Sequence, residues 1–221
     1  VHVESMMLVM PGGELLRVSR NTHRELFGLV AGGQGVFGAL YSVTLHTGSL
    51  ALALNEAGGA EILASPAMAA ASRPLRLLLP PDRLAPFLAQ ARARCSEWRM
   101  PLAGVRVRRT REESDTFLRW ARRDYAAATL SIAEPPALGA AVRATQLRRE
   151  LLDAAIACGG SFPLYCTPEA TRSQTEACYP QLRAFLAEKR RVDPAEKLTN
   201  AWYRHYRSLF CRDTCEVRWA S

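Results

Sequence analysis

The distribution of apolar and polar positions predicts a short β-rich segment at the start of the chain. Residues 6–19 hold an apolar run, a proline-glycine turn at 11–13 and an alternating stretch, which is the pattern of a β-hairpin. Thr22 and Glu25 have the spacing of a capping box, so we expect a short helix that ends before the next glycines. Residues 36–45 are rich in β-branched and aromatic side chains and predict a further strand.

The pattern becomes more regular after an Ala-, Gly- and Ser-rich stretch over 48–73, in which we place a domain boundary. The later segments predict, in order, a buried strand over 75–79, a helix capped by Asp82 that runs to Trp98, antiparallel strands around Val105 and Leu130, a helix that stops at Gly159, and a strand over 162–166. This β-α-β-β-α-β order is a split βαβ arrangement, in which two helices cover one face of an antiparallel sheet.

Helical segments are predicted to close the chain. They are a helix over 171–178, a second that begins at Tyr179-Pro180, and a third that begins at the helix-start signature of 193–196. The fold class is therefore α+β. We divide the chain into residues 1–48, a split βαβ domain over 74–180, and a helical segment over 181–221 that packs back toward the first part.

The composition is that of a folded protein, with 48% hydrophobic and 23% charged residues among 221. The net charge of +8 is carried mostly by arginines dispersed along the chain. Dispersed charge argues against specific nucleic-acid binding, which needs a basic face with base-reading side chains, but it leaves attraction for an anionic substrate or cofactor open. No apolar run approaches the roughly 20 residues of a membrane-spanning helix, so we expect no transmembrane segment.

Six irregularly spaced cysteines do not resemble a secreted disulfide framework, so we expect free thiols and a cytoplasmic protein. The tail pair Cys211 and Cys215 lacks a second ligand pair, and we expect no metal site. No paired carboxylates or Ser-His-Asp order stand out, which argues against hydrolases. The chain opens at Val1 without a signal or transit peptide, and we interpret it as a fragment.

Four glycines stand within seven residues at 32–38, between the predicted short helix and the strand that follows it. Such a loop lets backbone N–H groups approach an anion such as a pyrophosphate. It is not a Rossmann fingerprint, because that glycine loop follows a strand and opens a helix. On spacing alone, a helix-to-strand turn without a ligand explains the pattern equally well.

The residues around this loop resemble the second FAD-binding subdomain of the vanillyl-alcohol-oxidase/p-cresol-methylhydroxylase (PCMH-type) flavoproteins. The resemblance is carried by Asn21-Thr22-His23-Arg24-Glu25-Leu26-Phe27, Gly32-Gly33-Gln34-Gly35-Val36-Phe37-Gly38 and Val43-Thr44-Leu45. The C-terminal part is similar to the close of the FAD-linked oxidases, including relatives of decaprenylphosphoryl-ribose oxidase. The similar residues there are Cys178-Tyr179-Pro180, Phe185-Leu186, Lys189-Arg190-Arg191, Asp193-Pro194 and Trp202-Tyr203.

The resemblance implies an FAD-dependent oxidoreductase that oxidises a CH–OH group of a small alcohol or sugar-like substrate and passes electrons to oxygen or another acceptor. The split βαβ domain, which is ferredoxin-like, would cap the flavin ring. Family members carry an earlier subdomain with a pyrophosphate loop, which this chain lacks, so we expect a C-terminal portion that binds FAD poorly alone. By analogy the residues that line the FAD are Gly32, Gly33, Gly35, Phe37, Gly38 and Asn200.

The sequence leaves the catalytic base open, because residues 164–168 stand where relatives place a Lys or His facing the flavin. Tyr165 either contacts substrate or is an inward strand tyrosine, and Cys166 is either a reactive thiol or a buried inert one. His205 is either an acid/base near the flavin or a surface histidine, and Asn200 could equally be a helix cap. A remnant that has lost FAD, and a basic anion-binding or interaction module, stay open as alternative functions.

Overall fold

The computed structural model describes residues 2–48, 60–64 and 72–211. It shows a mixed α+β architecture with two antiparallel sheets. In chain order the strands are β1 (Val3–Val9), β2 (Leu15–Ser19), β3 (Ala39–Leu45), β4 (Ala60–Ala64), β5 (Ser72–Leu79), β6 (Leu102–Thr110) and β7 (Tyr125–Ala133). The helices are α1 (Arg24–Val30), α2 (Leu84–Glu97), α3 (Ala140–Ala157), α4 (Arg172–Cys178), α5 (Leu182–Val192) and α6 (Ala201–Cys211).

The chain forms two compact units that interleave along the sequence. The terminal unit comprises Val1–Glu56, Ser114–Arg119 and Tyr179–Ser221. The central unit comprises Ala57–Glu113 and Trp120–Cys178.

The terminal unit contains a three-stranded sheet in the order β2-β1-β3, with antiparallel neighbours. The predicted hairpin is confirmed as β1 and β2. Met6 pairs with Val18 across the hairpin, and both side chains are buried with Leu8 on the same face. Phe27 of α1 packs against these residues, so burial of this apolar face attaches the short helix to the sheet.

Helix α1 forms where the sequence predicts a helix, but the predicted capping box is wrong. The N-cap residue is His23, in the left-handed conformation with φ 53°, and it makes no side-chain cap hydrogen bond. Thr22 lies one position too early, in a turn where its amide and that of Asn21 donate to Ser19 Oγ. The local turn at Ser19 has therefore taken the place of the capping box.

Strand β3 begins at Ala39, later than the predicted start at residue 36. Val36 and Phe37 are buried in the preceding loop, where their side chains serve the core of the terminal unit. The side chains of β3 itself are exposed along its whole length, including Tyr41 and Val43.

The central unit contains a four-stranded sheet in the order β4-β6-β7-β5. Strands β5 and β6 both pair antiparallel with β7, which lies between them, so the predicted strand pair is confirmed. Alternate residues of β5 are buried opposite alternate residues of β7, as period-two patterning requires. The buried pairs are Leu75 with Leu130, Leu77 with Ala128 and Leu79 with Ala126.

Helices α2 and α3 are confirmed and supply the other half of the core of the central unit. Their buried residues follow helical spacing: Phe87, Leu88, Ala91 and Cys95 on α2, and Leu147, Leu151 and Ala155 on α3. Asp82 is not the cap of α2, because it lies inside the 3-10 turn Pro81–Arg83 that precedes the helix. Helices α4 and α5 are also confirmed, close to their predicted positions.

The predicted strand over 162–166 is wrong. Ser161 forms an isolated bridge with Leu78, with reciprocal backbone hydrogen bonds of 2.7 and 2.8 Å, and the chain then turns into the 3-10 helix Leu164–Cys166. Pro163 has no N–H to donate to a strand ladder, which explains why the pairing stops after one bridge. Strand β4 lies in the stretch over 48–73, where the sequence predicted no element.

The helix start predicted at 193–196 is also wrong. Residues there form a turn in which Glu196 donates its amide to the Asp193 carbonyl, and Glu196 has φ 49°. The last described helix, α6, begins only at Ala201. Among the described residues, no helix combines the length and the hydropathy that a bilayer span requires.

Candidate functional site

The glycine-rich loop of the terminal unit joins the end of α1 to the start of β3. Gly33 donates its amide to the Val30 carbonyl at 3.0 Å, and Val36 donates to the Gly33 carbonyl at 3.2 Å, so two tight turns follow one another. A Cβ on Gly33 would lie 2.0 Å from the Leu29 carbonyl oxygen. Only glycine fits at this position, because the loop folds closely back onto the helix.

One side of the loop is open. Gly35 has φ 74°, and no described atom beyond its immediate neighbours lies within 4 Å of the point where a Cβ would stand. Gly32 and Gln34 also have positive φ, at 80° and 55°, and all three residues are exposed. Left-handed conformations at neighbouring positions are typical of loops whose backbone N–H groups receive anions. The amides of Gly33 and Val36 are themselves bonded to carbonyls of Val30 and Gly33.

The other end of the loop belongs to the core. Phe37 is 1% exposed, and its ring meets that of Phe185 edge-on at 5.0 Å between centroids. A Cβ on Gly38 would come within 3.3 Å of Leu8 Cβ and of the Val9 carbonyl oxygen. The structure therefore places Phe37 and Gly38 where they anchor the loop, and leaves Gly32, Gln34 and Gly35 as its exposed residues. Gly33, which was expected to line the FAD, is buried, and its amide is bonded to the Val30 carbonyl.

Asn200 brings the C-terminal part of the chain onto this loop. Its Nδ2 donates to the Gln34 carbonyl oxygen at 2.7 Å, although the two residues are 166 positions apart. Its Oδ1 accepts a hydrogen bond from the Tyr203 amide at 2.8 Å, so the same side chain also caps the start of α6. Asn200 is therefore both a helix cap and a contact of the loop, because the oxygen of its amide group makes the first interaction and the nitrogen makes the second.

A buried ion pair holds the turn that leads to Asn200. The Lys189 ammonium and the Asp193 carboxylate form a salt bridge in which the side chains are 0% and 1% exposed. Asp193 also accepts hydrogen bonds from the amides of Lys197, at 3.0 Å, and Leu198, at 2.9 Å. Sequence reasoning treated Asp193 as part of a helix start and missed this role; its i,i+4 spacing from Lys189 was the available signal.

These contacts also affect the protonation of Asp193. Burial by itself raises the pKa of this carboxyl, but hydrogen bonds from Lys189 and from the two backbone amides outweigh burial, so the pKa lies below its ordinary value. Asp193 is therefore ionised at neutral pH. The charged carboxylate is what organises the turn between α5 and α6.

A segment distant in sequence, Ser114–Arg119, contacts α1 and the residue Arg20 that precedes it. Arg20 donates two hydrogen bonds to the Asp115 carboxylate, at 3.1 and 2.8 Å, and lowers the pKa of that group. Phe117 donates its amide to the Gly28 carbonyl at 2.8 Å, and a Cβ on Gly28 would meet the Asp115 carbonyl at 3.2 Å. No local sequence pattern predicts this contact, because Arg20 and Asp115 are 95 residues apart.

His205 lies on α6, with its ring against that of Tyr206 at 4.8 Å. Its Nε2, like the Nε1 of Trp202, is buried and has no hydrogen-bond partner among the described residues. His205 is half-buried rather than a freely exposed surface histidine.

Tyr165 and Cys166 lie on the 3-10 turn that replaces the predicted strand of the central unit. Tyr165 is 56% exposed, so it is not an inward strand residue. Its hydroxyl oxygen accepts a hydrogen bond from Arg76 Nη1 at 2.7 Å, and the guanidinium stands 5.8 Å from the centre of the ring. This pair fixes a phenol and a cation side by side at the edge of β5.

Cys166 lines a pocket of about 220 Å³ together with Pro74, Arg76, Arg148 and Glu169. Burial raises the pKa of its thiol, and the Thr167 hydroxyl and the Arg76 guanidinium only partly offset that effect. The thiol is therefore protonated at neutral pH, which makes Cys166 a poor nucleophile or base.

Arg148 is the most buried cation of the pocket lining, with a side chain only 5% exposed. Its guanidinium lies 3.3 Å from a Glu169 carboxylate oxygen and 3.6 Å from one of Glu134. Arg149 donates to the Glu169 backbone carbonyl at 2.9 Å and fixes that residue. Because two carboxylates compensate Arg148, this residue stabilises the pocket wall, and Arg76 is the cation that the pocket can offer to a ligand.

Within the described part of the chain, no group of three or more His, Cys, Asp or Glu side chains is arranged to hold a metal ion. The described cysteines 95, 158, 166 and 178 are free, whereas the side chain of Cys211 and all of Cys215 lie outside the described residues. Comparison with models of known protein families and with curated proteins finds no match.

Proposed function

We propose that this chain is the C-terminal portion of an FAD-dependent oxidoreductase that acts on a CH–OH group of a small alcohol or sugar-like substrate. In this proposal the terminal unit is part of a PCMH-type flavin domain and the central unit is a ferredoxin-like substrate domain. The observation that carries it is the hydrogen bond from Asn200 to Gln34. It joins the two segments, far apart in sequence, that separately resemble the flavin-binding parts of one family.

The loop residues fit the role of a partial FAD cradle. The exposed backbone of Gly32, Gln34 and Gly35 would hold a phosphate or ribityl part of the cofactor, and Asn200 would position that backbone through Gln34. Bound FAD would supply the hydride acceptor for oxidation of the substrate carbon. Phe37 supports the cradle from the core side by its contact with Phe185.

The central unit supports the substrate part of the proposal through its strand order. In the order β4-β6-β7-β5, strand β7 lies between β5 and β6, and a helix connects β5 to β6 along the chain. Ser161 forms its bridge at the outer edge of β5. This order is compatible with the proposed ferredoxin-like sheet, its last strand being reduced to one bridge and β4 being added on the far side. Tyr165, held by Arg76, can donate its own O–H to a substrate oxygen and is our choice for the orienting residue.

Strand β3 supports the view that further flavin-binding structure covers the terminal unit. Leu40, Tyr41, Val43 and Leu45 are 55%, 72%, 39% and 41% exposed, an unusual density of apolar surface on one edge strand. The resemblance places an earlier subdomain before this one. An apolar strand left open in the terminal unit offers that subdomain a surface to pack against.

A flavin absorption spectrum tests the proposal. The chain should be purified alone and also preceded by the residues encoded directly upstream of Val1, and both should be titrated with FAD. We expect the extended protein to retain FAD and show flavin absorption bands, and the chain alone to bind FAD weakly. An extended protein that is folded by circular dichroism but colourless, and that does not take up FAD, would contradict the proposal and favour a remnant of the fold that has lost its cofactor.

A further inference from the structure

The face of the central sheet opposite the buried leucine rows carries arginines on both sides of its middle strand. Register pairs Thr129 of β7 with Arg76 of β5 on one side and with Arg106 of β6 on the other. Arg108 lies two residues further along β6, opposite Ala127. Arg106 and Arg108 are exposed, and Arg76 is half-buried with its Nη1 bonded to the Tyr165 hydroxyl.

The floor between these arginines is made of small residues. Besides Thr129, β7 contributes Ser131, which register places opposite Pro74 on β5 and Gly104 on β6. Neighbouring strands are about 4.8 Å apart, so Arg76 and Arg106 stand roughly 10 Å apart at the backbone with only short side chains between them. The hydroxyl-bearing residues of β7 therefore lie between the two strands that carry the arginines, at a spacing that one small polar group can bridge.

One end of this face is closed. Leu78 of β5 is buried there with Ala121 and Tyr125, and Ala127 packs against them. At the other end Pro74 is exposed and Ser131 is half-buried, and Tyr165 stands beside Arg76 with its hydroxyl bonded to the guanidinium. The result is a short trough with a wall at one end and a phenol at its side.

We propose that this trough, the basic sheet face defined by Arg76, Arg106, Arg108, Thr129 and Ser131, binds the phosphate or carboxylate group of an anionic substrate. That the bound anion is a substrate follows only from the proposed function, on which this inference rests. The inference adds the chemical class of that substrate. Guanidinium groups present paired N–H donors that match carboxylate and phosphate oxygens, and serine and threonine hydroxyls add further donors. Placing the anionic group here would leave the remainder of the substrate to extend toward the end at Pro74 and Ser131.

The same face argues against a single-stranded nucleic acid as the ligand. Base recognition on a sheet of this kind uses aromatic side chains that stack on bases, and the middle strand offers Ala127, Thr129 and Ser131 instead. Tyr125, the aromatic residue of β7 on this face, is buried under the closed end. A compact anion is therefore the better match to the trough.

The test is an NMR titration of the protein with inorganic phosphate and, separately, with acetate, in a buffer that contains neither. We expect saturable shifts of the Thr129 and Ser131 amide signals, and the tighter of the two probes identifies the anionic group. Because each variant loses a charge-assisted hydrogen bond to the anion, Arg76→Gln and Arg108→Gln should each raise the dissociation constant at least about tenfold. Arg92→Gln, on the exposed side of α2, removes the same charge and should leave it unchanged.

Three results would overturn the inference: no saturable shift, an equal loss in Arg92→Gln, or displacement of phosphate by a single-stranded oligonucleotide that gives the same shifts with a steep salt dependence. The titration is carried out on the extended protein, and the flavin content of the same samples is measured by absorbance. If the extended protein binds flavin but no anion, only this inference is contradicted. If it binds the anion but no flavin, the anion site stands and the proposed oxidoreductase activity is contradicted.

Discussion

At the scale of single residues, Asn200 is the position on which two parts of the terminal unit depend. Its carboxamide has a donor end, which reaches Gln34 on the glycine-rich loop, and an acceptor end, which caps α6 at Tyr203. The donor and the acceptor are different atoms of one amide group, and an aspartate carboxylate of the same size keeps only the acceptors. The two functions of Asn200 can therefore be separated by substitution.

We predict that Asn200→Ala lowers the free energy of unfolding of the terminal unit by about 1 kcal/mol, the usual value of a lost N-cap. Asn200→Asp keeps the acceptor for the Tyr203 amide, so its stability should stay close to that of the wild type. Both variants lose the donor to Gln34 and should raise the dissociation constant for FAD in the extended protein. Urea unfolding and FAD titration measure the two effects, and an Asn200→Asp variant with unchanged FAD affinity would show that the loop does not need this contact.

Sequence reasoning identified Asn200 but could not decide between a cap and a site residue. A cap needs only residues three positions apart, so the local pattern contained it. The contact with Gln34 depends on the tertiary fold, which brings together residues 166 positions apart. For Tyr165, too, the sequence left two alternatives open, a substrate contact or an inward strand tyrosine. Its exposure excludes the second, and that exposure follows from the turn after Pro163 and not from the apolar pattern of its neighbours.

At the scale of elements, the turn between α5 and α6 is built around one charged group. Asp193 collects the Lys189 ammonium and the amides of Lys197 and Leu198. Lys197 in turn donates to the Pro11 carbonyl of the hairpin at 3.2 Å. The position of the α6 start, and with it that of Asn200, therefore depends on the ionised state of Asp193.

We predict that this dependence appears as loss of stability in acid. The pKa of Asp193 is lower in the folded than in the unfolded chain, so its contribution is complete above the unfolded value of about 3.9 and is lost as the pH falls through the folded pKa. Asp193→Asn leaves Lys189 buried without its counter-charge and should lower the free energy of unfolding at pH 7 by roughly 3–5 kcal/mol. It should also flatten the decline between pH 5 and pH 2.

Urea unfolding across this pH range measures both effects. Glu14→Gln, at an exposed position of the hairpin turn, is the control and should retain the wild-type stability at pH 7. Arg20 lowers the pKa of Asp115 as well, so some decline in acid should persist in Asp193→Asn. A variant as stable as the wild type at pH 7 would mean that the buried pair does not hold the turn.

The elements themselves show which parts of a fold are encoded locally. The hairpin, α2, α3 and the β6–β7 pair follow from apolar periodicity, because each buries one regular face. The strand predicted at 162–166 failed because an apolar run also suits a buried turn, and Pro163 removes the donor that a ladder needs. Strand β4 was missed because an Ala-rich strand carries no strong strand propensity.

At the scale of the whole molecule, the chain forms its two units from interleaved segments. The terminal unit takes the six residues of Ser114–Arg119 from within the stretch that otherwise builds the central unit. Arg20 and Gly28 receive this segment through Asp115 and Phe117. Such an exchange has no signature in hydrophobic periodicity, since it depends on contacts between residues far apart in sequence.

The proposed function also belongs to this scale, because it requires the terminal unit to be a cofactor surface and not only a folded support. Gly35 lies on the open side of the glycine-rich loop, so a side chain added at this one position would block that surface. Gly13 offers a matched position: it also has positive φ, at 97°, and open space around its Cβ direction, but it lies in the β1–β2 turn. Valine at either site should cost about 1–2 kcal/mol of backbone strain.

The most direct measurement is therefore the FAD content of the extended protein carrying Gly35→Val or Gly13→Val, determined by absorbance after gel filtration. We expect both variants to fold with similar losses of stability, Gly13→Val to keep the flavin of the wild type, and Gly35→Val to lose it because the added methyl groups stand between the loop amides and the cofactor. A Gly35→Val protein with full flavin content, or an equal loss in both variants, would contradict the assignment of this loop to the cofactor.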